Sequence, residues 1–392
     1  MSALAYDIKS STAVVRAWGG NVKVRLYLHW PFCRSRCAYC DFNTRVASVG
    51  YQEAYRTALL AEMGMWASML GRAGKTIRSL YLGGGTPSCM SGDETAALLS
   101  TAAERFGLED GAEVTVEVNP ATWAEDDYAR AVFGGANRFS VGVQSLHDGT
   151  LRVLSRPHGA EEAMEALRAA LDSGARSVGA DLLYGLPAGC EGTFLDSLEK
   201  LMGLGIHHLS VYALSPGAKT PLARMAARGE VALPEDEAVA EEYLAAVEIL
   251  VRRGYEHYEI SNFCRPGHRC RHNLAYWRRE DYLGLGAGAH SKLGGLRFWN
   301  ERSLLRYLRT IGEGRLPVSG WEVVTGEEAR EEMVMLGMRT SRGVSERTVS
   351  HSSGRLRELA RGGLLDISGG RVKLTPRGML VSNLLIADLL WS

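Results

Sequence analysis

Short runs rich in β-branched and aromatic residues recur through the first half of the chain, at 23–29, 77–82, 113–118, 138–143, 177–183 and 208–214. Between them the apolar positions change to helical spacing. Ala163, Met164, Leu167, Ala170 and Leu171 fall on one helical face, and Gly174 follows as the stop signal. Strand and helix alternating over these six runs predict an α/β fold: a parallel sheet with right-handed crossovers, closed or partly closed into a TIM-like (β/α)6 barrel.

Such a barrel builds its site on the loops that follow the strands. After the first predicted strand comes Cys33-x-x-x-Cys37-x-x-Cys40, and after the second Gly83-Gly84-Gly85-Thr86-Pro87. The third ends at Glu117 and Asn119, the fourth at Gln144, the fifth reaches Asp181 and the sixth carries Tyr212. The chemical features therefore gather at the carboxyl ends of the strands.

Beyond the barrel, Leu233-Pro234-Glu235-Asp236-Glu237 has the proline and acids of a helix start, and Arg252-Arg253-Gly254 the signals of its end. A connecting stretch runs to His290. From about Trp299 the pattern is mostly helical, and Gly369-Gly370 before Arg371-Val372-Lys373-Leu374 predicts a hairpin, giving a smaller winged-helix-like domain. The expected organisation is an N-terminal segment 1–22, a barrel 23–230, a connecting segment 231–298 and a C-terminal domain 299–392.

Charge narrows the function. The 45 Lys and Arg balance the 45 Asp and Glu with no basic run, so no nucleic-acid partner is expected. The first twenty residues lack a cationic region followed by an apolar stretch, and the apolar tail from Asn383 to Trp391 is too short to span a bilayer. The expectation is a cytoplasmic protein without a transmembrane segment. Seven cysteines in a chain of this kind point to a reducing compartment, where thiols serve metals rather than disulfides.

Three of those cysteines fall within eight residues. Thiolates are the usual ligands of iron-sulfur clusters, and three on one loop hold three corners of a cubane while leaving the fourth iron open. Zinc sites pair Cys-x-x-Cys with a second ligand pair, which nothing near Cys40 supplies. Cys264, His268, Cys270 and His272 offer a weaker zinc alternative, at a spacing unlike the usual pairs. Gly284-x-Gly286-x-Gly288 opens no helix and reads as a tight turn rather than a dinucleotide fingerprint.

Tyr27-Leu28-His29-Trp30-Pro31-Phe32-Cys33 through Cys40-Asp41-Phe42 resembles the start of the coproporphyrinogen oxidase-like branch of the radical S-adenosylmethionine (SAM) superfamily. The resemblance runs from about Arg25 to the C-terminus. It implies a [4Fe-4S] cluster on Cys33, Cys37 and Cys40, with SAM on the open iron. Tyr27, Gly84, Gly85, Thr86, Glu117, Gln144, Arg156 and Asp181 match the branch's SAM-contacting positions. Among them Arg156 corresponds to the residue that pairs with the methionine carboxylate, and Asp181 to the acceptor of the ribose hydroxyls.

The branch holds an oxygen-independent coproporphyrinogen III oxidase and heme chaperones. In the oxidase a fourth cysteine stands two positions after the third; here that position is Phe42. The oxidase also carries an N-terminal arm with a Tyr-Thr-Ser-Tyr-Pro-like motif, absent from the 32 residues before Cys33. Conversely, His272-Asn273-x-x-Tyr276-Trp277 is similar to the chaperones' heme-binding signature, and Asp281 to Gly286 fits the same group. An imidazole ligates heme iron and aromatic rings face a porphyrin, so His272, Tyr276 and Trp277 are the expected heme residues.

The resemblance thus implies a heme chaperone delivering heme to apo-hemoproteins such as respiratory cytochromes, and is compatible with a homodimer and with peripheral membrane association. The alternative is a radical SAM enzyme acting on a tetrapyrrole, or a class C methyltransferase; coproporphyrinogen decarboxylation is not expected. One departure stands out, because Gly217 occupies a position after the sixth strand where the family usually has Glu.

Overall fold

The computed structural model describes residues 23–46, 48–70 and 76–391, so the N-terminal segment 1–22 lies outside the described residues. All six predicted barrel strands form: β1 Lys23–Trp30, β2 Thr76–Gly84, β3 Leu108–Val118, β4 Arg138–Gln144, β5 Ser177–Tyr184 and β6 His208–Ala213. They pair in parallel and in chain order.

Period-two alternation explains why these segments fold as they do. Leu26, Leu28, Leu80, Leu82, Val114, Val116, Phe139, Val141, Val178, Ala180, Leu209 and Val211 make a buried apolar face. The alternate positions are polar yet equally buried: Arg25, Ser79, Glu113, Thr115, Arg138, Ser177, His208 and Ser210. One face of the sheet therefore packs beneath the crossover helices, and the other encloses a polar interior in which Arg25, Ser79, Glu113, Arg138 and Ser177 are hydrogen-bonded while Thr115 Oγ1 and His208 Nδ1 have no partner.

The sheet continues past both edges of the six-stranded unit. On the β6 side come β7 Glu256–Glu259 and β8 Asn262–Cys264, with β8 antiparallel to β6. On the β1 side β9 Tyr282–Leu285 pairs in parallel, followed by β10 His290–Leu293, β11 Leu296–Asn300 and β12 Val318–Val323, making twelve strands. The chain after Trp299 is thus not helical from the start. These strands are only three to six residues long, too short for their alternation to outweigh the helical periodicity around them.

The predicted helices are present at Ala160–Asp172 and Asp236–Arg252, and Gly174 and Gly254 follow them at positive φ. The C-terminal hairpin joins β14 Leu365–Ser368 to β15 Arg371–Leu374 and pairs with β13 Val344–Ser345. Its turn, Gly369-Gly370, has φ of 57° and 70°, the doubly left-handed conformation of a two-residue type I′ turn. Among the described residues no helix is long and apolar enough to cross a membrane.

Candidate functional site

At the carboxyl end of the strands lies a cavity of about 420 Å³. Its wall includes Cys33, Cys37, Cys40, Gly84, Gly85, Thr86, Glu117, Gln144, Arg156, Asp181 and Tyr212, residues contributed by all six barrel strands or the loops after them. Tyr27 is not among the lining residues. Its hydroxyl is 2.9 Å from His29 Nδ1, below the rim.

The glycine turn is set by the cysteine loop it touches. Gly85 N donates to Trp30 O at 2.7 Å and Thr86 N to Phe32 O at 2.8 Å. A Cβ on Gly85 would lie 2.7 Å from the Phe32 carbonyl oxygen, so the turn runs against backbone that cannot yield. Gly84 has φ of 121°, reserved for glycine, and its N–H donates to Glu117 Oε2 at 2.9 Å. Gln144 adopts φ of 68° without being glycine, the local strain that tends to concentrate at functional sites.

Titration behaviour follows from enclosure. Burial pushes Glu117 up to about 7, opposed by the Tyr81 hydroxyl at 2.8 Å and the Gly84 N–H. Burial likewise raises Asp181, against hydrogen bonds from Ser210 and Ser140, the latter at 3.2 Å. Burial raises the Cys33 thiol, with the Thr86 hydroxyl pulling the other way. Arg156 donates from Nη1 to Cys37 Sγ at 3.2 Å and from Nη2 to Gly142 O at 2.6 Å, while its Nε is buried without a partner.

This donor set fits a [4Fe-4S] cluster with SAM. Three thiols share one wall, a glycine turn exposes backbone beside them, carboxylates suit amino and hydroxyl groups, and an unpaired guanidinium N–H awaits an anion.

Gly217, the point of departure, lies against the cysteine loop. A Cβ there would meet Asp41 Oδ2 at 2.8 Å, so the Asp41 side chain next to Cys40 packs on bare backbone. Phe42, in the position of the oxidase's extra cysteine, is exposed at the cavity mouth.

The His272 motif lies elsewhere, on a short helix, Arg271–Trp277, that plugs the barrel toward the amino ends of the strands. Glu113 accepts from Arg271 N and His272 N at 3.0 and 2.8 Å, capping the helix start. His272 is fully buried, with Nδ1 2.9 Å from Ser79 Oγ and Nε2 2.8 Å from the Tyr276 hydroxyl. Burial holds its pKa down to about 3, so the ring is neutral. Trp277 is half-buried against Tyr258, Cys264 and Leu274. Ser79 precedes Gly83 by four residues, which puts the motif roughly 13 Å below the glycine turn.

Tyr81 spans that gap, with its ring centroid 5.1 Å from His272 and its hydroxyl on Glu117. No sequence motif marks Tyr81 or Ser140; their inward-facing alternate positions on β2 and β4 are the signal that places them. The zinc alternative is not supported: the Cys270 thiol donates to Glu113, His268 stacks on His207 at 4.4 Å, and both His272 nitrogens are engaged elsewhere.

Residues 27–201 match the Radical SAM superfamily and residues 324–381 the HemN C-terminal domain. The heme chaperone HemW of Mycobacterium tuberculosis is 37% identical, covering 93% of this chain and 94% of its own. That of Bacillus subtilis is 32% identical, covering 91% and 96%, and that of Escherichia coli K12 is 38% identical over 68% and 70%. Among solved structures, the coproporphyrinogen III oxidase HemN from Escherichia coli, a radical SAM enzyme, superposes with a TM-score of 0.81 over 97% of this chain and 92% of its own; at 23% identity this speaks to the fold. A superfamily whose members carry a [4Fe-4S] cluster and SAM accounts for the cavity, and the similarity to HemW along nearly the whole length narrows it further: the chain belongs to the HemW family of the radical SAM superfamily.

Proposed function

We propose that this protein is a cytoplasmic heme chaperone that holds a [4Fe-4S] cluster on Cys33, Cys37 and Cys40, binds SAM along the rim from Gly84 to Asp181, and passes heme to apo-hemoproteins. The observation that carries the reading is the pairing of the three thiols and the rim residues from Gly84 to Asp181 around one cavity with a His272 motif in a chain most of whose length matches proteins named heme chaperones. Phe42 supports it against a tetrapyrrole oxidase. The cluster and SAM, when bound, supply one-electron chemistry at the barrel mouth.

The chain's own residues divide the work. Arg156 Nε and Asp181 are the groups that would orient SAM, through its carboxylate and ribose, and Glu117 fixes the Gly84 turn against the cysteine loop. His272 is the proposed iron ligand. Because the ring is neutral, one of its nitrogens offers a lone pair to iron without loss of a proton, but that nitrogen must exchange Ser79 or Tyr276 for the metal.

The test is an anaerobic heme titration of the reconstituted protein beside a coproporphyrinogen III assay. His272→Ala should weaken heme binding by about tenfold or more, a loss of at least ~1.4 kcal/mol, and move the Soret band, with cluster content unchanged. Decarboxylation by wild type together with identical heme spectra in the variant would overturn the reading in favour of the oxidase.

A further inference from the structure

Arg156 follows Ser155, a non-glycine residue at φ of 54°, and turns back toward the barrel mouth. Its surroundings hold it there. Ala38 N donates to Leu154 O at 3.1 Å, tying the cysteine loop to the segment that carries the arginine. Nη2 is anchored on the Gly142 carbonyl at 2.6 Å, and Tyr39 hydrogen-bonds the same guanidinium. This leaves Nη1 directed at Cys37 Sγ at 3.2 Å, and Nε free and buried. The guanidinium thus touches a sulfur with one nitrogen while keeping another for a ligand.

We propose that Arg156 is a positioning residue for the cluster itself: its Nη1–H donates to the Cys37 sulfur and raises the cluster's reduction potential. The proposal rests on reading Cys33, Cys37 and Cys40 as the cluster ligands. Reduction adds one negative charge that spreads onto the thiolate sulfurs. A donor and a positive charge fixed beside one of those sulfurs stabilise the reduced form more than the oxidised form, and hydrogen bonding to sulfur is among the levers a protein has on cluster potential. Enclosure strengthens the effect, since the pair sits where the effective dielectric is low. The role differs from binding SAM through the same side chain, because it operates with no SAM present.

The test is a redox titration of the full-length, anaerobically reconstituted protein without SAM, following the reduced cluster by electron paramagnetic resonance. Arg156→Lys keeps the charge and loses the planar fork; Arg156→Gln keeps an N–H donor and loses the charge. Both should shift the midpoint to more negative values, with Gln shifting further if charge dominates and Lys if the hydrogen bond does. Unchanged midpoints in both variants at full iron content overturn the proposal. Wild type supplies a measurement independent of the variants. Electron-nuclear double resonance of its reduced cluster should show a coupled proton that disappears in deuterium oxide, and its absence would also overturn the proposal. Failure of wild type to take up a cluster would instead defeat the ligand assignment.

Discussion

Glu62 and Glu259 are fully buried and Glu117 lies part-buried on the cavity wall, and enclosure pushes each up to about 7. Glu62 is compensated by the Gly286 N–H, the Asn300 amide and the Tyr307 hydroxyl, and Glu117 by Tyr81 and Gly84. Glu259 is less well served: its Oε1 has no partner, nor has the nearby Asn262 Oδ1. For a carboxyl whose folded pKa exceeds the unfolded value of ~4.3, stability is fully present below that value and is lost as pH rises through the folded pKa. Denaturant unfolding of the cluster-free protein should therefore show stability falling between pH ~4.3 and about 7. Glu259→Gln should reduce that slope and stabilise the protein at pH 8 by on the order of 1–3 kcal/mol. An unaltered slope in the variant would mean Glu259 is ionised with partners of its own.

At this scale the chemistry was legible because spacing announced it. Three cysteines in eight residues, and Glu117, Gln144 and Asp181 at strand ends, needed only the barrel to bring them together. The state of His272 was not legible. Tyr276, which takes one ring nitrogen, stands four residues away in the motif, but Ser79, which takes the other, and Glu113, which accepts from the backbone N–H, are 193 and 159 residues away.

At the scale of elements, the six barrel strands could be read because each is half apolar at period two and is followed by polar or glycine-rich sequence. The outer strands could not, since three residues such as Asn262–Cys264 pair only because β6 offers an edge. The turn after β2 depends on glycine for a reason that its sequence alone does not show: Gly85 packs on the Pro31–Phe32 backbone that leads into the cysteine loop. Gly85→Ala should push that loop outward, lowering stability by about 1–3 kcal/mol while leaving the sheet intact. Iron retained after reconstitution should drop well below wild type with little change in circular dichroism. Full iron content would show that the loop adapts without moving its thiols.

For the whole molecule, the polar interior of the barrel has two ends lined by different residue sets. The cysteine and rim set occupies the carboxyl end, the His272 helix the other, and Tyr81 touches both. If His272 ligates heme iron, a conformation in which the ring is released must exist, and heme affinity is reduced by the fraction of molecules not in it. Ser79 Oγ, itself hydrogen-bonded by Arg25 Nη1 at 3.2 Å, is one of the two groups that hold the ring closed. Removing it with Ser79→Ala takes a net ~0.5–1.5 kcal/mol from the closed state, which corresponds to heme binding tighter by about two- to tenfold. The sign opposes that of His272→Ala, although both substitutions destabilise the same buried cluster. General loosening of the fold cannot produce opposite signs, so titrating heme into both variants separates a gated ligand from a structural plug. Equal losses of affinity in the two variants would assign the histidine to packing and place the heme ligand elsewhere.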